Sequence, residues 1–336
     1  MECAGVKLPG PKSFWEIVKS VSAAEIAREA QRPIHLGIVG PAESREPIIR
    51  ALHCLPSDDS MPSPTASRVV PGATSLSVYN SFAEEDGFPH APDYHDVIIA
   101  LTDSREGAPE GAPIYSVSEL GGWANTLARI LEDKPDLALA LARSFPSFRP
   151  LVARKIIQQT ALVNAEFAML SGLVEQVPLL GAIGIPGAAF SDIVVLTKNQ
   201  VMMTMRLAAI YGLEVDFQSR LAELAPLLGN AFGWRAIARE LVGLVPVFGF
   251  VSRAAIAYAG TITAGRAMQF YYETGRRMSA AQIRQLYREA FTAAKQKLRG
   301  LTPQKARKAL PSPSEPLPIE TIERAETPET VEESAR

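Results

Sequence analysis

Two stretches of this chain are almost free of charge, and proline and glycine interrupt each of them. Gln176–Ser191 (QVPLLGAIGIPGAAFS) is uncharged between Glu175 and Asp192, and Leu241–Gly265 (LVGLVPVFGFVSRAAIAYAGTITAG) carries only Arg253. Such segments are driven out of water, so each must enter a protein core or a lipid phase. Neither is a clean apolar run of about 18 residues, so neither is an unambiguous spanning helix. Their lengths suit a buried helical hairpin with the Pro/Gly cluster as its turn, or a hairpin dipping into a membrane. The two are also alike in sequence: Val177-Pro178-Leu179-Leu180-Gly181 echoes Val245-Pro246-Val247-Phe248-Gly249. Each precedes a long apolar helix that ends near a Tyr and a Gly, at Tyr211-Gly212 and at Tyr272 to Gly275. Two helix–VPxxG–helix hairpins are the economical reading. Asp192 and Arg253, the lone charges in or bordering these stretches, are expected to neutralise one another, because an unpaired charge in core or lipid is costly.

The surroundings of the hairpins are helical. From Pro135 to about Gly300 apolar residues recur at helical spacing and no strand pattern appears. Ser279–Arg299 is the best marked helix: Ser279 caps it, Ile283, Leu286, Tyr287, Ala290 and Leu298 line one face, and Gly300 ends it. Before Pro135 the pattern differs. Pro11–Gln31 reads as one amphipathic helix capped at Ser13. Ile34–Val39 (IHLGIV), Thr74–Phe82, Asp96–Thr102 (DVIIALT) and Pro113–Val117 read as strands, with a helix over Arg45–Cys54 and another from Trp123. Strands alternating with helices predict a small α/β unit with a mostly parallel sheet. The expected organisation is an N-terminal helix over 1–33, an α/β domain over 34–134, a helical domain over 135–300 and a disordered tail over 301–336. The tail is rich in proline and poor in large apolar residues.

The first strand runs into Gly40 and then a helix, which is where a nucleotide-binding domain puts its phosphate cradle, GxxxxGK[ST]. Here the register is Gly40-Pro41-Ala42-Glu43-Ser44-Arg45-Glu46-Pro47. Arg45 takes the second glycine position, Glu46 the lysine position and Pro47 the hydroxyl position. A side chain at Arg45 obstructs close backbone approach. Glu46 puts negative charge where a polyphosphate would sit, and Pro47 removes both hydroxyl and N–H. No DxxG follows Thr74–Phe82, and no NKxD lies in the loop from Asp103 to Ala112. Only Ser116-Val117-Ser118 faintly echoes a final base-side serine motif.

The layout nevertheless resembles bacterial proteins that join an Era-like GTPase domain to domain of unknown function 697, including the YcjF-like proteins. The likeness is concentrated in Ala138–Gly275. It rests on Phe145-Pro146 to Arg149, Asn164, Asp192, Leu196-Thr197, Asn199-Gln200, Tyr211-Gly212, Pro246, Gly249, Thr261 and Gly265. The resemblance implies membrane association and a GTPase-related N-terminal domain, and no established reaction. The fold class expected is therefore α/β plus all-α: a small degenerate P-loop GTPase-like domain followed by a helical, membrane-associating one.

Other chemistries find little material. Two cysteines, Cys3 and Cys54, make no disulfide framework and no CxxC zinc site. His90, Asp93, His95 and Asp96 form the one His/Asp cluster, and a polar loop leading into the next strand accounts for it. No GxSxG nucleophile elbow is present. Met202, Met203 and Met205 suit a helix core. No metal, cofactor or catalytic group is expected. The 34 Lys+Arg nearly balance 36 Asp+Glu, so global charge gives no case for nucleic acid. The balance is local: Arg266–Lys308 holds eleven Lys/Arg against two Glu, and seven Glu against two Arg follow Ala309. A basic stretch beside apolar hairpins suits the cytoplasmic face of an anionic membrane. The first ten residues, with Glu2, Pro9 and no apolar core, predict a non-secreted protein. The expected function is a non-catalytic, membrane-associated scaffold or adaptor carrying a pseudo-GTPase domain, with membrane lipid and a protein partner or a second copy as its contacts. The alternatives are a GTP-binding protein with an unorthodox loop and a soluble helical interaction module.

Overall fold

Short β-rich runs pair only when crossovers bring them together, and the computed structural model shows how this chain does so. It describes residues 23–53, 74–83, 87–174, 187–215 and 250–298. The expected tail, both VPxxG turns and the first part of the N-terminal helix lie outside these residues. Helix α1 is Ala23–Ala30, β1 is His35–Val39, α2 is Ala42–His53, β2 is Ser75–Tyr79, β3 is Val97–Ala100 and β4 is Ile114–Ser116. Then come α3 (Trp123–Asp133), α4 (Ala138–Ser144), α5 (Arg149–Val174), α6 (Gly187–Ile210), α7 (Phe250–Thr274) and α8 (Ala280–Lys297). The fold is mixed α/β and helix-rich: among the described residues, one four-stranded sheet and eight α-helices.

The sheet is wholly parallel, in the order β2-β1-β3-β4. Its central strands are continuous apolar runs, as a sheet covered on both faces requires. Leu36, Ile38, Val97 and Ile99 face the helices. Val39, Ile98 and Ala100 face the other way, onto Phe82 and Phe88 of the β2–β3 connection. Ladder hydrogen bonds run one residue past the strand ends, from Asp96 N–H to the His35 carbonyl at 2.9 Å and from Leu101 N–H to the Val39 carbonyl at 2.8 Å, and side chains add to them. Asp96 accepts the His35 backbone N–H through its side chain at 2.9 Å, and the Thr74 hydroxyl meets that of Ser144 at 3.0 Å.

Helix α2 begins three residues before the predicted Arg45. The Ser44 and Arg45 N–H groups both reach the Pro41 carbonyl, at 3.0 and 3.1 Å, and start the helix there. Pro47 therefore falls inside the helix, where it removes one i→i−4 bond.

Beyond Pro135 the described chain is helical, as its periodicity predicts. Helices α5, α6, α7 and α8 form a bundle. Helix α5 pairs Asn164 with Asn199 and Thr261, while Met169 packs with Ala254 and Ala255, so it runs antiparallel to both α6 and α7. Helices α6 and α7 run parallel: Gln200 meets Thr261, Thr204 meets Met268, and Tyr211 meets Glu273. Gly265 permits the three-way crossing. A Cβ there would stand 2.7 Å from the Ile157 side chain and 3.1 Å from the Met203 sulfur. Helix α8 opens on a capping box, with the Ser279 side chain accepting from Gln282 N–H and Gln282 accepting from Ser279 N–H. It then returns along α7, placing Tyr287 and Ala290 beside Ala259, and Ala294 and Leu298 in the cluster that holds Ala254 and Ala255.

One hydrophobic core passes from the strands through Leu127, Ile130 and the buried α4 to Ile156, Met203, Leu207 and Met268. The bundle thus has two ends. One is built into the sheet. From the other come the end of α5, the starts of α6 and α7, and the end of α8.

Candidate functional site at the carboxyl edge of the sheet

In open α/β sheets, ligands bind beyond the carboxyl ends of the strands, where neighbouring strands connect in opposite directions. With the order β2-β1-β3-β4, that place is between β1 and β3. Gly40 and Leu101 occupy it. Gly40 has φ 151°, and its N–H donates to the Tyr79 carbonyl at 3.0 Å. A Cβ on Gly40 would lie 2.8 Å from that of Leu101, so the two strand ends already touch.

The link from β1 to α2 is only Gly40 and Pro41. Arg45, Glu46 and Pro47 sit in the first turns of α2 and not in a loop, with Glu46 and Pro47 exposed. Glu46 pairs with Arg50 one turn on, at 3.5 Å. Glu43 brings a negative charge to the first turn, where an anion would otherwise be favoured. An open depression bordered by Glu46, Pro47, Arg50 and Ala51 marks the outer surface of this helix. It offers hydrocarbon and one ion pair, not a ring of N–H donors.

The loops after β3 and β4 are tied to one another. Ser118 donates its hydroxyl to Asp103, Ser116 and Ser118 meet at 3.0 Å, and Arg105 pairs with Glu119 at 2.6 Å. The Ser116-Val117-Ser118 echo therefore serves a polar stitch across the sheet edge. Strand β4 pairs directly with β3, without an intervening strand.

The His/Asp cluster divides. His90 and Asp93 are exposed, whereas His95 is 2% exposed, stacked on Phe88 and in edge contact with Tyr79 and Tyr94. Its Nε2 lies 3.2 Å from the Tyr79 hydroxyl. Burial, and then the nearby His35 charge, lower its pKa against a smaller opposing pull from Asp96. His95 is thus a neutral packing group on the aromatic face of the sheet. No group of three metal-ligating side chains occurs among the described residues.

Arg149, Asn164, Asn199, Gln200, Tyr211 and Thr261 gather in two places. Arg149 is fully buried and folds back over the end of α4, donating Nε to the Ala142 carbonyl at 3.0 Å and Nη2 to the Arg143 carbonyl at 3.2 Å. A cation at a helix C-terminus offsets exposed carbonyl charge. Its guanidinium also stands 5.7 Å from the centroid of the Tyr211 ring. Burial lowers its pKa to about 10, which leaves it charged at neutral pH. Farther along the bundle, Asn164 donates to Thr261 Oγ1 at 2.9 Å and accepts from Asn199 Nδ2 at 2.8 Å. Gln200 donates to the same Thr261 oxygen at 3.1 Å. One polar layer thus binds three apolar helices. Near the sheet end, Tyr211 donates to Glu273 at 2.6 Å, and Gln269 donates to the same carboxylate oxygen at 2.8 Å. Glu166, on α5 between Asn164 and the far end, is pushed up to about 7 by burial. The sequence reading had singled out neither its burial nor the role of Arg149. No pattern of neighbours marks a charge that the tertiary fold alone will bury.

Met203 and Met205 are core residues, as expected, and Met202 packs at the margin. The second apolar stretch divides: Ala254, Ala255, Tyr258, Ala259, Thr261 and Ala264 are buried in the bundle. No helix among the described residues is long and apolar enough to cross a membrane. Asp192 lies on α6 and Arg253 on α7, and their side chains are outside the described set. Gln200 and Thr261, which touch, are 61 residues apart. Asp192 and Arg253 are also 61 residues apart, within the 61 to 64 that separate the side-chain partners along α6 and α7.

No protein-family model, curated protein or solved structure matches the chain.

Proposed function

We propose that this chain is a non-catalytic scaffold or adaptor that works at the cytoplasmic face of a membrane and carries a pseudo-GTPase domain. The observation that supports the reading is that the end of α5 and the starts of α6 and α7, each next in sequence to a VPxxG motif, come together at the end of the bundle opposite the sheet. An apolar motif next to each of these helix ends would give a lipid surface its contact at the end of the bundle away from the sheet. Helix α5 is 26 residues long, about 39 Å at 1.5 Å per residue.

The pseudo-GTPase part of the reading draws on the sheet edge. The short Gly40-Pro41 link, the helical placement of Arg45, Glu46 and Pro47, and the Gly40–Leu101 contact all disfavour a phosphate cradle. The parallel sheet and the resemblance of the helical half to domain of unknown function 697 favour common descent with an Era-like arrangement.

Two measurements test it. Calorimetric titration of the full chain with Mg²⁺ and GTP is expected to give no binding heat, and a micromolar, Mg²⁺-dependent Kd would restore the GTP-binding alternative. In cell fractionation the chain is expected with membranes, and Leu179→Asp, Leu180→Asp and Ile183→Asp together are expected to release it. A wild-type chain that stays soluble at low salt without detergent would favour the soluble interaction module instead.

A further inference from the structure

An open sheet ends on two edge strands, and each presents backbone groups that can pair with another chain. Among the described residues these edges are β2 and β4. Strand β4 is guarded. It has only three residues, Pro113 precedes it, and the stitch of Ser116, Ser118 and Asp103 closes its end. Strand β2 has none of these devices. Its five residues, Ser75-Leu76-Ser77-Val78-Tyr79, hold no charge and no proline, and their register with β1 is unbroken by a bulge.

The ladder decides which groups of β2 point outward. Ser75 N–H donates to the Ile34 carbonyl at 2.8 Å, and the Tyr79 carbonyl accepts from Gly40 N–H at 3.0 Å. Alternate residues of a parallel strand bond to the same neighbour, so Ser75, Ser77 and Tyr79 face β1. Leu76 and Val78 turn both N–H and C=O the other way, where β2 has no partner among the described residues. Their side chains lie level with Leu36 and Ile38, on the helix-bearing face of the sheet. Leu76 is half-buried, whereas Val78 is 48% exposed, a high value for a valine in a strand.

We infer that β2 is a self-association edge, pairing antiparallel with β2 of a second copy about a two-fold axis at Ser77. That axis sets Leu76 opposite Val78 of the second copy, and Val78 opposite its Leu76. Each pair joins residues whose N–H and C=O both point outward, so each exchanges both ladder bonds. A register shifted by one residue would oppose outward groups to inward ones. The paired side chains share one face, so a leucine covers each exposed Val78. Thr74–Phe82 carries no charge, so the axis brings no like charges together and gives a charged foreign strand nothing to select. The product is one continuous sheet with the guarded β4 at both ends. The contact is small, so the dimer is a weak one, in the micromolar range. The inference goes beyond the membrane reading and rests on the sheet alone.

The test is sedimentation equilibrium of the full chain, in detergent matched to the solvent density, from about 1 to 100 µM. The mass is expected to rise from one chain toward two. Val78→Lys sets a charge against Leu76 of the second copy, and Val78→Pro removes an outward N–H but no bond to β1. Each is expected to raise the dimer Kd at least about tenfold, with circular dichroism checking the fold. A second readout does not depend on those variants. In a chain carrying Cys3→Ser and Cys54→Ser, Ser77→Cys puts two thiols across the axis with Cα atoms about 4.5 Å apart, and mild oxidation should link them. Val78→Cys, with its two copies about 8 Å apart, should not link. A single-chain mass throughout, with no link at Ser77→Cys, would overturn the inference. Slow hydrogen exchange at Leu76 and Val78 in that monomer would assign the edge to another segment of this chain, such as 54–73, and fast exchange would leave it to a strand of another protein. A dimer indifferent to both Val78 variants and unlinked at Ser77→Cys would place self-association elsewhere and overturn it too. A link at Val78→Cys but not at Ser77→Cys would overturn the axis at Ser77.

Discussion

Asn164→Ala is the sharpest test of how the bundle is held in register. Asn164 is 1% exposed and sits between two partners, donating to Thr261 and accepting from Asn199. The substitution removes two neutral hydrogen bonds, about 1 kcal/mol each. It also strands the Asn199 amide donor, itself 8% exposed, at a further cost of about 1–3 kcal/mol. Thr261 suffers less, since Gln200 still donates to it and it still donates to the Ala257 carbonyl at 2.8 Å. The expected loss is about 3–5 kcal/mol, large for one small polar side chain. Urea unfolding of the full chain, followed by far-ultraviolet circular dichroism, measures it. Thr261→Val removes the other end of the same bond, so a double-mutant cycle with Asn164→Ala should show a coupling of about 1–2 kcal/mol. A loss under about 0.5 kcal/mol, or additive effects in the cycle, would refute the view that this layer fixes the helices.

Two further predictions concern charge in the bundle. Burial raises the pKa of Glu166 from 4.5 to about 7, so the folded chain holds a proton there that the unfolded chain releases between those values. Stability from this group is full below pH 4.5 and is lost as pH rises through 7, by about 1–2 kcal/mol after allowance for solvent screening. Glu166→Gln should flatten that part of the stability–pH curve, and an unchanged slope in urea titrations from pH 5 to about 8 would count against its burial. For Asp192 and Arg253, 61 residues apart on parallel helices, Asp192→Asn and Arg253→Gln should each destabilise, while the pair costs less than the sum. Strict additivity in thermal unfolding would show that they do not meet.

Much of the architecture follows from period alone. The uninterrupted apolar character of IHLGIV and DVIIALT announces strands covered on both faces, and they became the two central strands. Ser279 is expected to cap the last helix, and it does, with Gln282 completing a capping box. The sequence reading starts helix α2 at Arg45, three residues after its observed start at Ala42. In fact the Pro41 carbonyl starts the helix upstream, and the fold tolerates one missing hydrogen bond. The likeness to a phosphate loop could be judged residue by residue. The closure of the switch point could not, because the Gly40–Leu101 contact joins two strands 61 residues apart in sequence and depends on their pairing. Arg149 shows the same limit. In sequence it is a cation opening a helix, an unfavourable place, and only the fold-back onto α4 explains it.

The helices that follow the two VPxxG motifs run parallel. On sequence alone, Asp192 lies eleven residues beyond Gly181 and Arg253 four beyond Gly249, which would set the two charges about 10 Å apart in depth if the turns were level. The contacts follow the helix bodies instead: Gln200 with Thr261, Tyr211 with Glu273 and Thr204 with Met268 are 61, 62 and 64 residues apart, against 68 between the two VPxxG glycines. The repeat is therefore in phase where the helices touch and out of phase by about one to two turns of helix at the glycines. An interval set by side-chain contacts along α6 and α7, and not by the turn motif, is what packing selects: apolar ridges and the Asn164 layer tolerate no slip, whereas a connecting segment absorbs extra residues at little cost. The lone acid and the lone base of the two apolar stretches, Asp192 and Arg253, are 61 residues apart and keep to that interval.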